Sequence, residues 1–196
     1  EKAPVYLSHI VEQNYLKKTD ESRIALGGMS IGLSLNTIYY YQKEQYGEFF
    51  EQVLTDEQIE KAGKEIAEEV IHRLRQREEL EDVPIMIGLF KQQAKNSIVP
   101  GTYFAYSVSD PGSEKLNDWQ TINEKYVTLP MSNPEDIYRE LNTKFLNFKQ
   151  SVDEYFANFT SVIGTAFYVD NAATRLEVEI PIQFYGRAEI IGFAQY

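Results

Sequence analysis

Between residues 55 and 77 apolar side chains recur at three- and four-residue steps: Ile59, Ala62, Gly63, Ile66, Val70, Ile71 and Leu74. That spacing gathers them on one stripe of an α-helix, and a one-sided stripe needs a second layer to cover it. Thr55 with Gln58 three residues on is a capping box, which satisfies two orphan donors at the helix start. Acids lie toward the start and Arg73, Arg75 and Arg77 toward the end, the arrangement the helix dipole favours. A second stripe, Ile137, Leu141, Phe145, Phe148, Val152 and Phe156, follows Asn133 as expected cap and Pro134 as expected first helical residue. An aromatic face of that length suits a helix lying across a sheet.

The rest of the chain reads as strand. Residues 6–16 and 23–41 are β-rich around a turn-like 18–22, which predicts a hairpin, with a helix as the competing reading of 6–16. Glycines 27, 28 and 32 predict a bulge or a close backbone approach. VPIMIGLF (83–90) is apolar throughout, which predicts a central strand covered on both faces. Strands are expected at 102–109 and 126–129, then at 162–169, 176–185 and 187–196, with a turn at 170–172. In 176–185, Leu176, Val178, Ile180, Ile182 and Phe184 alternate with polar or bulky neighbours, which predicts one core face and one wet face. The layout is α+β: mostly antiparallel sheet with two long helices packed on it. IGLFKQ (87–92) and IGFAQY (191–196) resemble each other and raise the reading of two related halves. No linker-like stretch interrupts the chain, so a single domain over residues 1–196 is expected.

Missing residue types exclude whole chemistries. With no cysteine, disulfides, thiolate catalysis and cysteine-ligated metal sites are out. Two histidines, His9 and His72, cannot build a multi-histidine site. Neither a P-loop nor a calcium-loop spacing occurs, and no cofactor or metal is expected. A net charge of −11 repels phosphate backbones, so nucleic acid is not an expected partner. The chain opens Glu-Lys-Ala-Pro-Val without a basic and apolar leader, which fits either a cytosolic protein or one read downstream of a removed leader.

Gly28-Met29-Ser30-Ile31-Gly32 matches the G-x-S-x-G nucleophile elbow. That elbow requires a helix after the serine, whereas Leu33 to Tyr39 reads as strand. His72 would have to serve as base amid arginines, which disfavour an imidazolium. A glycine-kinked strand is the better account. His72 reads as a charge partner at a helix end, and His9 as a hydrogen-bonded structural residue. Glu177, Glu179 and Glu189 are the acids from which a carboxylate pair could be made, with Arg187 nearby in sequence; a solvated sheet face is the plainer reading. Asn158-Phe159-Thr160 is a formal glycosylation sequon that short patterns produce by chance.

Fourteen tyrosines and eleven phenylalanines are many for this length, and tyrosines suit rims and interfaces where a rigid ring carries a polar tip. Polar and aromatic side chains on otherwise apolar strands point to a groove near Tyr39, Tyr41, Gln92, Gln183, Tyr185 and Arg187. The expected occupant is a peptide or a protein partner. Recognition is the leading expectation, a carboxylate-based hydrolase the alternative, and an interaction module working through a sheet edge or dimer face a third reading.

Five strings carry a family resemblance: HIVEQNYL (9–16), LGGMSIGLSLNTIYYYQKE (26–44), VPIMIGLFKQ (83–92), SIVPGTYFA (97–105) and IPIQFYGRAEIIGFAQY (180–196). Together they resemble the CamS sex-pheromone lipoprotein family of Gram-positive bacteria, in the C-terminal part of such a precursor. The resemblance implies an extracytoplasmic domain on the outer face of the cell membrane, held there by an upstream lipid anchor; it adds an envelope component to the expected occupants and makes the hydrolase alternative an extracytoplasmic one. It also implies a leader, upstream of Glu1, whose excised peptide is the conjugation pheromone. It supplies no catalytic residues for the folded part.

Overall fold

Leu7–Lys18 (β1) and Ile24–Asn36 (β2) pair antiparallel as the expected hairpin. The register shifts at Gly27, and a Cβ on Gly32 would lie 2.8 Å from the Tyr103 hydroxyl, so both a bulge and a close approach are present. After a break at Thr37 come two strands of a second hairpin, Ile38–Gln42 (β3) and Phe49–Val53 (β4). Next are a helix Asp56–Arg75 (α1), a short 3-10 turn Glu78–Leu80, and strands Ile85–Gln92 (β5), Gly101–Ser109 (β6), Gln120–Thr121 (β7) and Glu124–Leu129 (β8). The chain ends with Asp136–Tyr155 (α2), Ile163–Val169 (β9), Ala172–Glu179 (β10) and Arg187–Gln195 (α3). The computed structural model describes residues 3–19, 23–155, 161–181 and 186–195. The chain divides into two units, residues 1–124 and 125–196.

The first unit is built on a five-stranded sheet in the order β1-β2-β5-β6-β7. β2 and β5 run parallel, and the other neighbours are antiparallel. The capping box at Thr55 is formed as predicted, with Gln58 N–H donating to Thr55 Oγ1 at 3.2 Å and Thr55 N–H donating to Gln58 Oε1 at 2.9 Å. α1 turns Ile59, Gly63, Ala67 and Ile71 onto the sheet, where Met29, Ile31, Leu33, Leu35, Ile85, Ile87 and Leu89 meet them. Burying Ile59 and Ile71 completely contributes about 1.5–3 kcal/mol each. β5 is the central strand, but it is covered by α1 on one side only: Met86, on the other face, is 38% exposed. A continuous apolar run therefore marked the centre of the sheet without implying two covering layers.

At the C-terminal end of α1 the guanidinium of Arg75 joins four segments. It donates to the carbonyls of Leu80, Glu81, Val83, Ser109, Asp110 and Ser113 and to the Ser109 hydroxyl. None of these acceptors is a carboxylate, and burial pulls the Arg75 pKa below the usual arginine value.

The second unit has a three-stranded sheet in the order β10-β9-β8. Its core is Val127, Leu129, Tyr138, Phe145, Val152, Val162, Ala166 and Tyr168. The α2 face differs from the predicted stripe. Tyr138, Asn142, Phe145 and Val152 are buried, while Ile137 and Phe148 are 38% and 42% exposed; Phe156 lies outside the described residues. The helix also starts at Asp136, beyond the expected Asn133–Pro134 cap. Asn142 explains this. Its Oδ1 accepts from Met131 N–H at 2.7 Å and its Nδ2 donates to Met131 O at 3.2 Å, which holds the incoming chain against the helix side instead of coiled into its first turn.

Two C-terminal expectations are corrected. Residues 187–195 form α3 and not a closing strand; Arg, Ala, Glu and Gln are good helix formers, and they outweigh the β-branched Ile190–Ile191. β10 ends at Glu179, at one edge of its sheet, and Leu176 and Val178 on it are 43% and 40% exposed. The alternation there names a shared face without naming a cover for it. Of the similar hexapeptides, IGLFKQ falls on β5 and residues 191–195 of IGFAQY fall on α3, so their likeness does not extend to conformation.

Candidate functional site

Tyr39 and Tyr41 are brought together. They project from the same face of β3 with ring centroids 5.4 Å apart and planes 13° from parallel. Across the hairpin Tyr41 is registered with Phe50, and those rings stack at 5.6 Å and 25°. Lys43 Nζ lies 4.6 Å from the Phe50 centroid, closing a ladder of three rings and one cation. Alternation puts Tyr40 on the opposite face, where Lys95 Nζ stands 4.2 Å from its centroid and the Lys95 N–H donates to the Tyr40 hydroxyl at 3.4 Å. Each face of this hairpin thus presents aromatic surface with an ammonium over it, an arrangement attractive to π-faces and worth most where water is excluded.

The loop joining the strands is held by Gly47 N–H donating to Glu44 O at 3.0 Å and Gln42 Nε2 donating to Gly47 O at 2.7 Å. At its tip Tyr46 takes a left-handed conformation, φ 65°, with its side chain 91% exposed. For a bulky residue that backbone region is costly and marks a position worth testing. Phe49 and Val53 are each 71% exposed on the same hairpin. The rings of the ladder stack chiefly on one another, so they offer edges and hydroxyls more than open faces. That geometry fits contact with a peptide or protein surface better than a flat platform under a sugar.

Gln92 sits at the hairpin's root. Its backbone carbonyl accepts from Thr37 Oγ1 at 2.6 Å, and its Oε1 accepts from Ser34 Oγ at 3.4 Å. Thr37 is the residue between β2 and β3, so Gln92 anchors the point from which the hairpin leaves the sheet. Gln183 and Tyr185 lie outside the described residues. Arg187 is exposed at the start of α3, in the second unit. Phe50, Lys43 and Tyr46 were missed by sequence reasoning because β4 itself was missed. The signal was present in two aromatic-rich five-residue runs, 38–42 and 49–53, about a charged six-residue loop, and their pairing sets Tyr41 opposite Phe50.

Catalytic candidates find no assembled machinery at their positions. Ser30 is mid-strand in β2, with its Oγ 3.2 Å from the Tyr15 hydroxyl. His72 is 3.4 Å from Glu114 and 3.1 Å from Gln76, and His9 Nδ1 is 3.2 Å from Ser8 Oγ. Glu177, Glu179 and Glu189 are all exposed, on β10 and α3, and Glu177 is ion-paired with Arg175 at 3.3 Å. Among the described residues no group of three or more His, Asp or Glu is placed to hold a metal ion. The sequon Asn158–Thr160 lies outside the described residues.

A family model described as the CamS sex pheromone cAM373 precursor matches residues 1–196. Of solved structures, the C-terminal domain of the sex pheromone staph-cAM373 precursor from Staphylococcus aureus is similar at 36% identity and TM-score 0.82, over 100% of this chain and 57% of that one. A sex pheromone precursor from Lactobacillus salivarius subsp. salivarius is similar at 35% identity and TM-score 0.88, over 98% and 56%. A third, titled sex pheromone staph-cAM373 precursor, shares 25% identity at TM-score 0.55, over 97% and 61%. The chain spans little more than half the length of each. No curated protein matches it.

Proposed function

The chain belongs to the CamS sex pheromone precursor family, and from that premise we propose that it is the folded part of a secreted or surface lipoprotein that acts by recognition. In this reading the precursor's leader is the source of the conjugation pheromone. An upstream lipid holds the domain on the outer face of the Gram-positive cell membrane, in contact with the envelope. Among the described residues no helix is long and apolar enough to cross a membrane, and a lipid tether needs none.

The observation that carries the recognition reading is the Tyr39–Tyr41–Phe50 ladder with Lys43 over its end. Rings held rigid by one another lose little entropy on contact, which is why aromatic clusters dominate binding surfaces. The ligand is a peptide, an envelope component or a protein partner, met at the ladder's edges and tyrosine hydroxyls. Gln92 supports the site by fixing the hairpin's departure from the sheet. Gln183, Tyr185 and Arg187 remain C-terminal candidates for the same recognition.

Recovery of envelope components on immobilised wild-type chain, beside Tyr39→Ala/Tyr41→Ala and beside Tyr185→Ala, tests the proposal. Loss of a saturable ligand in the first variant, at unchanged helical circular dichroism, is expected. Equal recovery by wild type and Tyr39→Ala/Tyr41→Ala removes the hairpin from the function.

A further inference from the structure

The first strand of the sheet's first hairpin is also its edge. β1 has β2 on one side and, among the described residues, no strand on the other. It is exposed along nearly its whole length, with Ile10, Val11, Tyr15 and Leu16 each half or more exposed. Ile10 is registered with Leu33 and so points to the α1 side, yet α1 packs on β2 and β5 and leaves it uncovered. Val11 and Tyr15 point to the opposite, open face. Edges are normally blunted by bulges, prolines or lysines. Here an extra residue, Ser8, breaks the register at one end and Lys17–Lys18 close the other. Between them residues 9–17 run unbroken, with apolar side chains on both faces.

We propose that this edge pairs with the same edge of a second copy, antiparallel about a two-fold axis at Gln13, joining two five-stranded sheets into one. The register follows from strand geometry. Antiparallel neighbours oppose residues whose backbone groups point the same way, so a two-fold β1 pair must be centred on a residue and not between residues. Centred on Glu12, the pairing opposes two like charges and sets Ile10 against Asn14 and Val11 against Gln13. Centred on Asn14, it sets Ile10 against Lys18 and Val11 against Lys17. Centred on Gln13, it sets Ile10 against Leu16 on one face and Val11 against Tyr15 on the other, with Glu12 against Asn14 between. All four exposed apolar side chains then meet apolar partners, the cross-strand pairs that stabilise sheets, and Glu12 meets an amide instead of its own copy. The surface is self-complementary, as an isologous interface requires.

Sedimentation equilibrium of the full 196-residue chain tests this. The wild type is expected near 45 kDa, twice 22.7 kDa. Ile10→Lys should weaken the dimer by at least about tenfold, and Ile10→Lys/Leu16→Glu should restore it. The new charges lie about 20 Å apart within one strand and meet only across the axis. Because the chain has no cysteine, Gln13→Cys supplies a lone thiol that should form a disulfide-linked dimer under mild oxidation. Glu12→Cys should not, since its copies stand about 8 Å apart, beyond disulfide reach. A wild type that stays monomeric to about 200 µM, a dimer indifferent to Ile10→Lys, or equal crosslinking of both thiols overturns the proposal.

Discussion

Arg75→Met removes the guanidinium while keeping most of the aliphatic stem. The side chain donates at 2.8 Å to the Ser113 and Val83 carbonyls, 2.9 Å to the Ser109 hydroxyl and 3.0 Å to the Asp110 carbonyl, besides the remaining contacts to Leu80, Glu81 and Ser109. Four of the six carbonyls keep a second donor after its loss: Leu80 from Val83 N–H, Glu81 from Gly112 N–H, Asp110 from Ser113 N–H and Ser113 from the Ser109 hydroxyl. The cost is therefore far below seven bonds. With each half-buried acceptor stranded at about 1–3 kcal/mol, roughly 3–5 kcal/mol is expected. Arg75→Lys keeps the charge but cannot span four segments with one ammonium, and should cost about 2 kcal/mol. Thermal unfolding followed by circular dichroism should show Arg75→Met lowered by about 10 °C, with Arg75→Lys between it and wild type. A shift under about 2 °C for Arg75→Met would mean that water replaces the guanidinium at these carbonyls, and the hub reading would fail.

Gly63→Ala sets two effects against each other. Helix propensity favours alanine by about 1 kcal/mol, but its Cβ would lie 2.6 Å from Leu35 Cδ1 and 3.2 Å from Leu89 Cδ1, both fully buried. Overpacking at about 1–3 kcal/mol should win, lowering the urea midpoint without changing the slope. Tyr41→Ala breaks both stacked pairs and should cost about 1–3 kcal/mol, and Tyr39→Ala about half as much, with hydrogen exchange faster across residues 38–53. At alkaline pH the second unit should weaken. Burial raises the Tyr168 phenol, and contact with Tyr138, ring centroid 5.1 Å from Nζ, raises the Lys125 ammonium. Groups with raised folded pKa values contribute fully below their unfolded values and lose that contribution as pH rises through the folded ones. Denaturant midpoints at about pH 8 and about pH 11 should therefore diverge less in Tyr168→Phe and Lys125→Met than in wild type.

Local grammar made the two long helices and the first hairpin legible. The Thr55–Gln58 capping box is closed within four residues, so the α1 start could be read without knowing the fold. The α2 start could not, because Asn142, nine residues beyond the expected cap, decides where Met131 goes. Val83 and the run after it announced a central strand, but its parallel pairing with β2 is a property of topology that periodicity does not carry. At the C-terminus, residues 187–195 hold both helix formers and β-branched residues, and short windows of that kind do not resolve themselves. For the site, Tyr39 and Tyr41 were visible as i and i+2 on a strand. Their partners Phe50 and Lys43 depend on a cross-strand register set by a loop that is neither glycine-proline rich nor of a two-residue type.

Amide chemical-shift mapping of the full chain, titrated in turn with short aromatic-containing peptides and with solubilised cell-wall fragments, meets the recognition claim head on. Saturable shifts concentrated in residues 38–53 and at Gln92 are predicted for at least one of the two. Shifts centred instead on Glu177, Glu179 and Glu189, or none with either probe at millimolar concentration, would contradict it.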